Sequence, residues 1–437
     1  MRKNSPVYFL LSGLIFISAS CVRTEEDLFE ESAALRINRA VATAGEILLS
    51  AGNGWVMEYF PTNDSPGVTF LVKFNQNGMA VVAAKNEYTP QYTESEGTWD
   101  VIDDTGPVLT FDTYIDVLHL FSDPASGLGK GLGAGLEGDY EFIIMNASGE
   151  TITLKGKKRG TDIRMYRLPG ETPEWNDYFD SLDEMNITLF NQNASLLLSA
   201  GSASYTLSGG ISHIFDAVPQ NAAAGSEEIP FIVTNSGIRL AQPFKAGNLS
   251  VQTFKLSDDK SYLYAVENQD IRITNPTSFF PFFLDENNWT PAGLTWTVDT
   301  TALGGAFQTA CAKVVSGCKT VYKEDFGSFF FKYKTNRRSK TLSFKSGTGK
   351  YGTYEGAFDF DIRELGEGKV IFTDKGTADV NAGLYKKNID GFGEILALIT
   401  SGAFTVTTDK PLSMSVLKFT SVDNPANWFT LSLNNLE

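Results

Sequence analysis

Two histidines, three cysteines and 52 acidic residues are the groups from which this 437-residue chain could build a reactive centre. Two histidines are too few for a multi-histidine metal site, and they cannot form an HExxH pair. His119 sits among Val117, Leu118, Leu120 and Phe121, and His213 lies between Ile211-Ser212 and Ile214-Phe215. An imidazole embedded in apolar sequence reads as a partly buried, hydrogen-bonded side chain rather than a general base. No GxSxG elbow offers a serine nucleophile. Asp359 and Asp361 alternate with Phe358, Phe360 and Ile362, so the two acids share one face of a strand. Paired carboxylates could serve a surface glycosidase. The plainer reading is the solvent face of a half-buried strand. Two GxGxxG matches occur, at Gly133, Gly135 and Gly138 and at Gly347, Gly349 and Gly352. A dinucleotide site needs a helix after the glycines, to meet the pyrophosphate with its N-terminus. β sequence follows both, so both are expected to be hairpin loops, with Gly127–Gly138 as a loop at a barrel mouth. The fragment Asp379–Gly383 lacks the rest of a calcium loop. The expectation is a non-enzyme with no metal and no cofactor.

Aromatic residues give the better binding signal. Phe279, Phe280 and Phe282, followed by Phe283, Trp289 and Trp296, could form platforms for a glycan or another small molecule. Buried, the same rings would hold domains together. Nucleic acid is not an expected partner, because the formal net charge is −16 and phosphate binding needs lysine and arginine to release counterions. The basic clusters Lys155, Lys157, Lys158 and Arg159, and Arg337, Arg338 and Lys340, fall at expected turns. Cys311 and Cys318 lie at the end of an expected helix over 301–316. If that helix ran through both, their Cα atoms would be about 10 Å apart, beyond the roughly 7 Å limit of a disulfide. Gly317 could stop the helix and let them pair. Both readings, a disulfide and two buried thiols, stand at this point.

The elements that must position these groups alternate between two periods. Residues 32–50 read as a helix capped by Ser32, with Ile37, Val41, Ala44 and Leu48 on one face. From Trp55 to Leu168 the period is two. Strands are expected at 55–60, 68–74, 79–84, 97–102, 108–113, 139–145, 151–156 and 163–168, a number at which a sheet can close. The C-terminal part repeats the plan. VLTF (108–111), DYEFIIM (139–145), TITLKG (151–156) and IRMYRL (163–168) match VIFT (370–373), AFTVTTD (403–409), MSVLKF (414–419) and WFTLSL (428–433). Their offset is steady at about 263 residues. Segments 114–121 and 389–399 can each form short helices between the fifth and sixth strands, and each copy is expected to start with a helix, 32–50 and 301–316. The fold class is therefore mainly β: two related helix-plus-antiparallel-barrel units, lipocalin-like in outline, at 32–168 and 300–437. Between them, 169–299 reads as a helix starting at Thr172-Pro173, with Trp175, Phe179, Leu182 and Met185 on its apolar face, and then β runs at 229–234 and 238–244. A third copy and a β insertion are both compatible with it.

The N-terminus reads as an address. Arg2 and Lys3 precede the apolar run Val7–Ala19, which has the length of a signal peptide and is too short for a stable membrane span. Residues 1–20 end in Ser18-Ala19-Ser20 before Cys21, which resembles a bacterial lipobox with Ser18 in place of the usual apolar residue. Cys21 is then the lipidation site, and 21–31 a tether. A plain secretory signal with a buried Cys21 is the other reading. Glu25, Glu26 and Asp27 resemble a surface-export signal, and equally an ordinary solvated tether.

Four stretches carry a family resemblance: GWVMEYFP (54–61), GPVLTFDTYIDVLHLFSDP (106–124), EGDYEFI (137–143) and LKGKKRGT (154–161). They resemble a family of Bacteroidota lipoproteins of uncharacterised function, the domain of unknown function DUF4302, over nearly the whole mature chain. The resemblance brings no catalytic residues. It implies a lipid-anchored, surface-exposed outer-membrane protein, of a kind found beside TonB-dependent transporters and their SusD-type partners. The function expected is a non-catalytic binding or accessory component of such an uptake system. The alternatives are a surface hydrolase using paired carboxylates and a structural assembly lipoprotein.

Overall fold

Alternation of inward and outward side chains closes the chain into three barrels. The computed structural model describes residues 32–435 apart from 105, 130–132, 170–173, 191–194, 221–224, 247, 277–282, 285–293, 335–338 and 349–351. Cys21, Phe279, Phe280, Phe282 and Trp289 lie outside the described residues. The first barrel has eight antiparallel strands, from Trp55–Tyr59 to Asp162–Arg167, at the places the sequence pattern predicts. Each strand pairs with the next, and the last returns to the first, with Arg167 opposite Trp55. An eight-strand barrel is just narrow enough for side chains to fill. Trp55, Tyr59, Phe70, Phe142 and Met165 do so here, all buried. Strand Val68–Phe74 is buried on both faces, because outward-facing Leu71 is covered as well.

Helices plug this barrel at both ends. Helix α1 (Ala33–Leu49) starts where Ser32 Oγ accepts the Leu35 N–H at 3.3 Å, as expected. Its Ala44 and Leu48 enter the interior cluster, and Trp55 Nε1 donates to the Leu48 carbonyl at 2.9 Å. Helix α2 (Asp116–His119) brings Val117 and Leu118, followed by Phe121, whose ring stands 5.7 Å from that of Tyr59. Trp55 and Tyr59 are the two ends of one strand, so α1 and α2 occupy opposite mouths.

The middle segment, open in the sequence, is a third closed barrel. Its eight strands run from Leu196–Ala200 to Arg272–Thr274, and the first pairs with both the second and the last. Helix α3 (Trp175–Leu189) precedes it; its expected cap at Thr172-Pro173 lies outside the described residues. Phe179 of α3 packs on Val56, Leu71 and Ala83, the outer wall of the first barrel. Met185 and Leu189 of α3 reach the core of the second barrel. One helix thus joins two barrels.

The last barrel runs from Leu294–Leu303 to Trp428–Asn435. Two expectations are corrected here. The unit begins at Leu294, not at residue 300, and its helix follows the first strand instead of preceding it. The segment LTWTVDTTAL is rich in β-branched and aromatic residues, which favour a strand through Leu303. Helix α4 (Gly305–Gly317) starts only after it. The four sequence matches fall on the fifth to eighth strands of both outer barrels. Helices α5 (Val380–Asn388) and α6 (Asp390–Ile399) fall between the fifth and sixth strands, as α2 does in the first barrel. Helix α6 lies directly on α4: a Cβ at Gly391 would stand 2.6 Å from the Ala310 carbonyl oxygen.

The last barrel also completes the middle one. Leu412, in the loop before strand Val416–Ser421, is fully buried in the core of the second barrel. The loop is fastened there by three bonds. Lys410 Nζ reaches Glu184 at 2.5 Å, Ser415 Oγ donates to the Ile187 carbonyl at 3.0 Å, and Asn275 Nδ2 donates to the Leu412 carbonyl at 2.8 Å.

Candidate functional site

The residues singled out from sequence separate into structural roles. Trp296 is fully buried among Phe283 and Phe419 inside the last barrel, so it is core and not an exposed platform. An alternating strand that closes a barrel turns every second side chain inward, and Trp296 is one of these. Cys311 and Cys318 are free and buried. Gly317 has helical dihedrals and the helix passes through it, so the seven-residue separation keeps the sulfurs apart and no disulfide forms. Burial pushes both thiols above their ordinary range. Asp359 and Asp361 lie on the outer face of strand Gly352–Gly366, where Ser339 Oγ donates to Asp359 at 2.9 Å and Asp361 is exposed. The first GxGxxG run lies in the connection from α2 to strand Glu141–Ala147; of the second, Gly347 lies in strand Ser339–Thr348 and Gly352 starts the strand paired with it, while Gly349 lies outside the described residues.

Both histidines are held. His119 is buried between the rings of Tyr114 and Tyr140, at 5.1 and 5.2 Å, and its Nδ1 accepts the Ile115 N–H at 2.9 Å. Burial pushes its pKa below the usual imidazole value. His213, in a left-handed conformation after the turn Gly210–Ser212, places Nε2 3.1 Å from Asn186 Oδ1 on α3. Burial pushes its pKa down to about 4, so the ring is neutral at ordinary pH and donates through Nε2.

Helix α3 has a cleft on each flank. The first, about 390 Å³, lies between the first two barrels. Several of its polar groups are already engaged, while Asn86 Nδ2 is buried without a hydrogen-bond partner. Lys85 Nζ is clamped by Asp180 at 2.7 Å and Asp183 at 2.6 Å, His213 is bonded to Asn186, and Ser212 Oγ donates to the Gly209 carbonyl at 2.8 Å. The second cleft, about 430 Å³, opens at the start of α3 against the first barrel. Trp175 lies on it, with Lys73, Glu94, Glu174 and Asn53 around it. The indole is fixed from two sides. Nε1 donates to the Asn53 carbonyl at 2.9 Å, and a Cβ at Gly54 (φ +94°) would stand 2.9 Å from the ring. Tyr92 donates its hydroxyl to Glu94. Burial, then Glu94 and Glu174, push the Tyr92 pKa up, which puts both carboxylates within electrostatic reach of one phenol.

An unforeseen pair lies between the first two barrels. Glu58 and Arg239 form a salt bridge with side chains 6% and 1% exposed. The guanidinium also stands 4.9 Å over the Phe60 ring, and Phe60 packs on Ile232 and Ala241 across the interface. The sequence signal was a single acid in the apolar strand Trp55–Tyr59 and a single base in the apolar run at 238–241.

Fold and clefts together define a tandem three-barrel protein with filled interiors. In the last barrel the void among Phe307, Phe329 and Phe429 is only about 20 Å³, room for about one water. The chain belongs to the family described as a domain of unknown function, DUF4302, whose model matches residues 25–258. The match takes in the first barrel and the second through strand Leu249–Leu256, a narrower span than the resemblance implied. No curated protein matches the chain. Solved structures similar to it include the beta chain of DNA polymerase III from Streptococcus pneumoniae TIGR4, at 10% identity over 91% of this chain and 97% of that one, with a TM-score of 0.14. A DNA polymerase sliding clamp from Pseudomonas aeruginosa is 11% identical over 92% and 98%, with a TM-score of 0.15. A variant of transferrin binding protein B from Haemophilus parasuis Hp5 is 10% identical over 87% and 75%, with a TM-score of 0.15. Likeness at this level carries nothing over to this chain.

Proposed function

We propose that this protein is a non-catalytic binding or accessory lipoprotein of the outer membrane, anchored through Cys21, facing outward, and working beside a TonB-dependent transporter and its SusD-type partner. The observation that carries the non-catalytic reading is the state of its titratable groups. His119 and His213 are held in hydrogen bonds with pKa values lowered by burial, and Asp359 and Asp361 lie on an outer wall. The clefts beside α3 offer fixed hydrogen-bonding and ion-paired groups, which suit holding a ligand better than attacking one. The anchor rests on residues 1–21: a basic start, the apolar run Val7–Ala19 and small residues before Cys21. Cell fractionation of Cys21→Ala tests it. The wild type is expected in the outer membrane and the variant in the soluble periplasmic fraction; a variant that still sediments with the outer membrane overturns the anchor.

The filled interiors also favour a second reading, a structural assembly lipoprotein. The last barrel exposes Val315, Val321, Val380 and Leu384 on its helical side, Val380 at 78%. On that reading, deletion of the gene lowers the amount of assembled transporter in the membrane, and ligand addition changes nothing.

A further inference from the structure

The two clefts beside α3 differ in one respect that decides what each could take. The inter-barrel cleft is walled by aliphatic side chains such as Leu182, Ile211 and Ile232, and its ammonium and imidazole are tied down, Lys85 by Asp180 and Asp183 and His213 by Asn186. The cleft at the start of α3 instead sets one rigid indole among groups of both charges that project from different elements. Lys73 comes from strand Val68–Phe74 and Glu94 from strand Thr89–Asp103. Their outward positions lie on adjoining rows, since Lys73 pairs with Val81 and Ala83 with Glu94. Glu174 caps the helix and makes no capping bond with its own side chain.

We propose that this cleft, with Trp175 as the stacking surface and Lys73, Glu94 and Glu174 as the polar rim, binds a pyranose ring. The proposal deepens the binding reading above and rests on it. A sugar ring has an apolar C–H face and a girdle of hydroxyls that both donate and accept. The C–H face needs a flat, electron-rich partner that loses no freedom on binding, and the indole is already pinned by Asn53 and Gly54. The hydroxyls need strong acceptors and a strong donor at the rim, which two carboxylates and an ammonium supply as charge-assisted bonds. A volume of about 430 Å³ suits one or two rings of such a ligand. An anion would meet two carboxylates here. A simple cation would leave the Lys73 ammonium facing it.

The test uses the mature chain and three probes: the methyl glycosides of glucose, galactose and N-acetylglucosamine. Binding is followed by saturation-transfer NMR, with tetramethylammonium as a charged control. At least one glycoside is expected to give a saturable signal on its ring protons. Trp175→Ala is expected to weaken it about tenfold, with Trp175→Tyr retaining most of the affinity. Because Trp175 also packs against the barrel, Glu94→Gln and Lys73→Met serve as second variants that leave packing intact; each is expected to weaken binding about tenfold. No signal from any glycoside overturns the proposal. So does a signal that both Trp175→Ala and Glu94→Gln leave unchanged, and that result places sugar binding elsewhere and leaves the broader binding reading intact. Trp175-dependent binding of tetramethylammonium alone overturns the sugar class.

Discussion

At the scale of single residues, burial sets the chemistry. His213 has a folded pKa of about 4, against 6.5 for a free imidazole, because burial disfavours its charged form. The unfolded chain therefore takes up a proton that the folded chain refuses. Above pH 6.5 the ring is neutral in both states and nothing is lost. As pH falls from 6.5 toward 4, stability drops, by up to about 3 kcal/mol from this group. Below about 4 both states are protonated and its contribution levels off. His119, lowered by the same cause, adds with the same sign. Urea unfolding of wild type and His213→Gln at several pH values isolates the effect: the variant keeps a donor toward Asn186 but has no proton to gain, so its stability should fall less between pH 6.5 and 4. Equal slopes in the two proteins would refute this. The apolar neighbours of both histidines made their burial legible in the sequence. Trp175 was legible as part of an apolar helix face. Its place in a cleft was not, because Asn53, Lys73, Glu94 and Trp175 meet only when a turn, two strands and a helix pack together.

At the scale of elements, period decided what could be read. The eight strands of the first barrel follow a two-residue alternation that survives in the packing, and the matches between the outer barrels fall on the same four strands of each. The reading failed where two signals competed. Residues 294–303 mix β-branched side chains with the small residues of the following helix, and only barrel closure fixed the boundary. The second barrel hid for a different reason: part of what fills it, Leu412, lies in the loop of another unit. Truncating that side chain should leave a cavity. Leu412→Ala is expected to cost about 2–5 kcal/mol, seen as a lowered urea midpoint. Hydrogen exchange should rise first in strand Arg272–Thr274, beside the Asn275–Leu412 bond, with the first barrel unaffected. A uniform rise across all three barrels would show that the loop is not specific to the second.

At the scale of the whole molecule, the three barrels share core contacts. Helix α3 belongs to two of them, the loop at 410–415 to another two, and Glu58–Arg239 spans the first pair of barrels. Breaking a buried pair by removing one partner leaves a stranded charge. Arg239→Met should therefore cost about 3–5 kcal/mol and split one unfolding transition into two as the first barrel uncouples. The double replacement Glu58→Leu with Arg239→Met should lose less than the single change, since it leaves no charge behind. A double variant as weak as the single one would mean that shape at Phe60, Ile232 and Ala241, and not the charge, holds the barrels together. The Leu412 contact carries a further consequence for the order in which the protein can be made. A ribosome delivers the N-terminal end first. The first barrel needs nothing beyond Arg167 to close its sheet and can form early. The second has all its strands by Thr274, yet it must wait for Leu412, far along the chain, to be synthesised before its stopper arrives. A chain cut short before Leu412 would therefore be betrayed by a barrel whose strands ended far upstream.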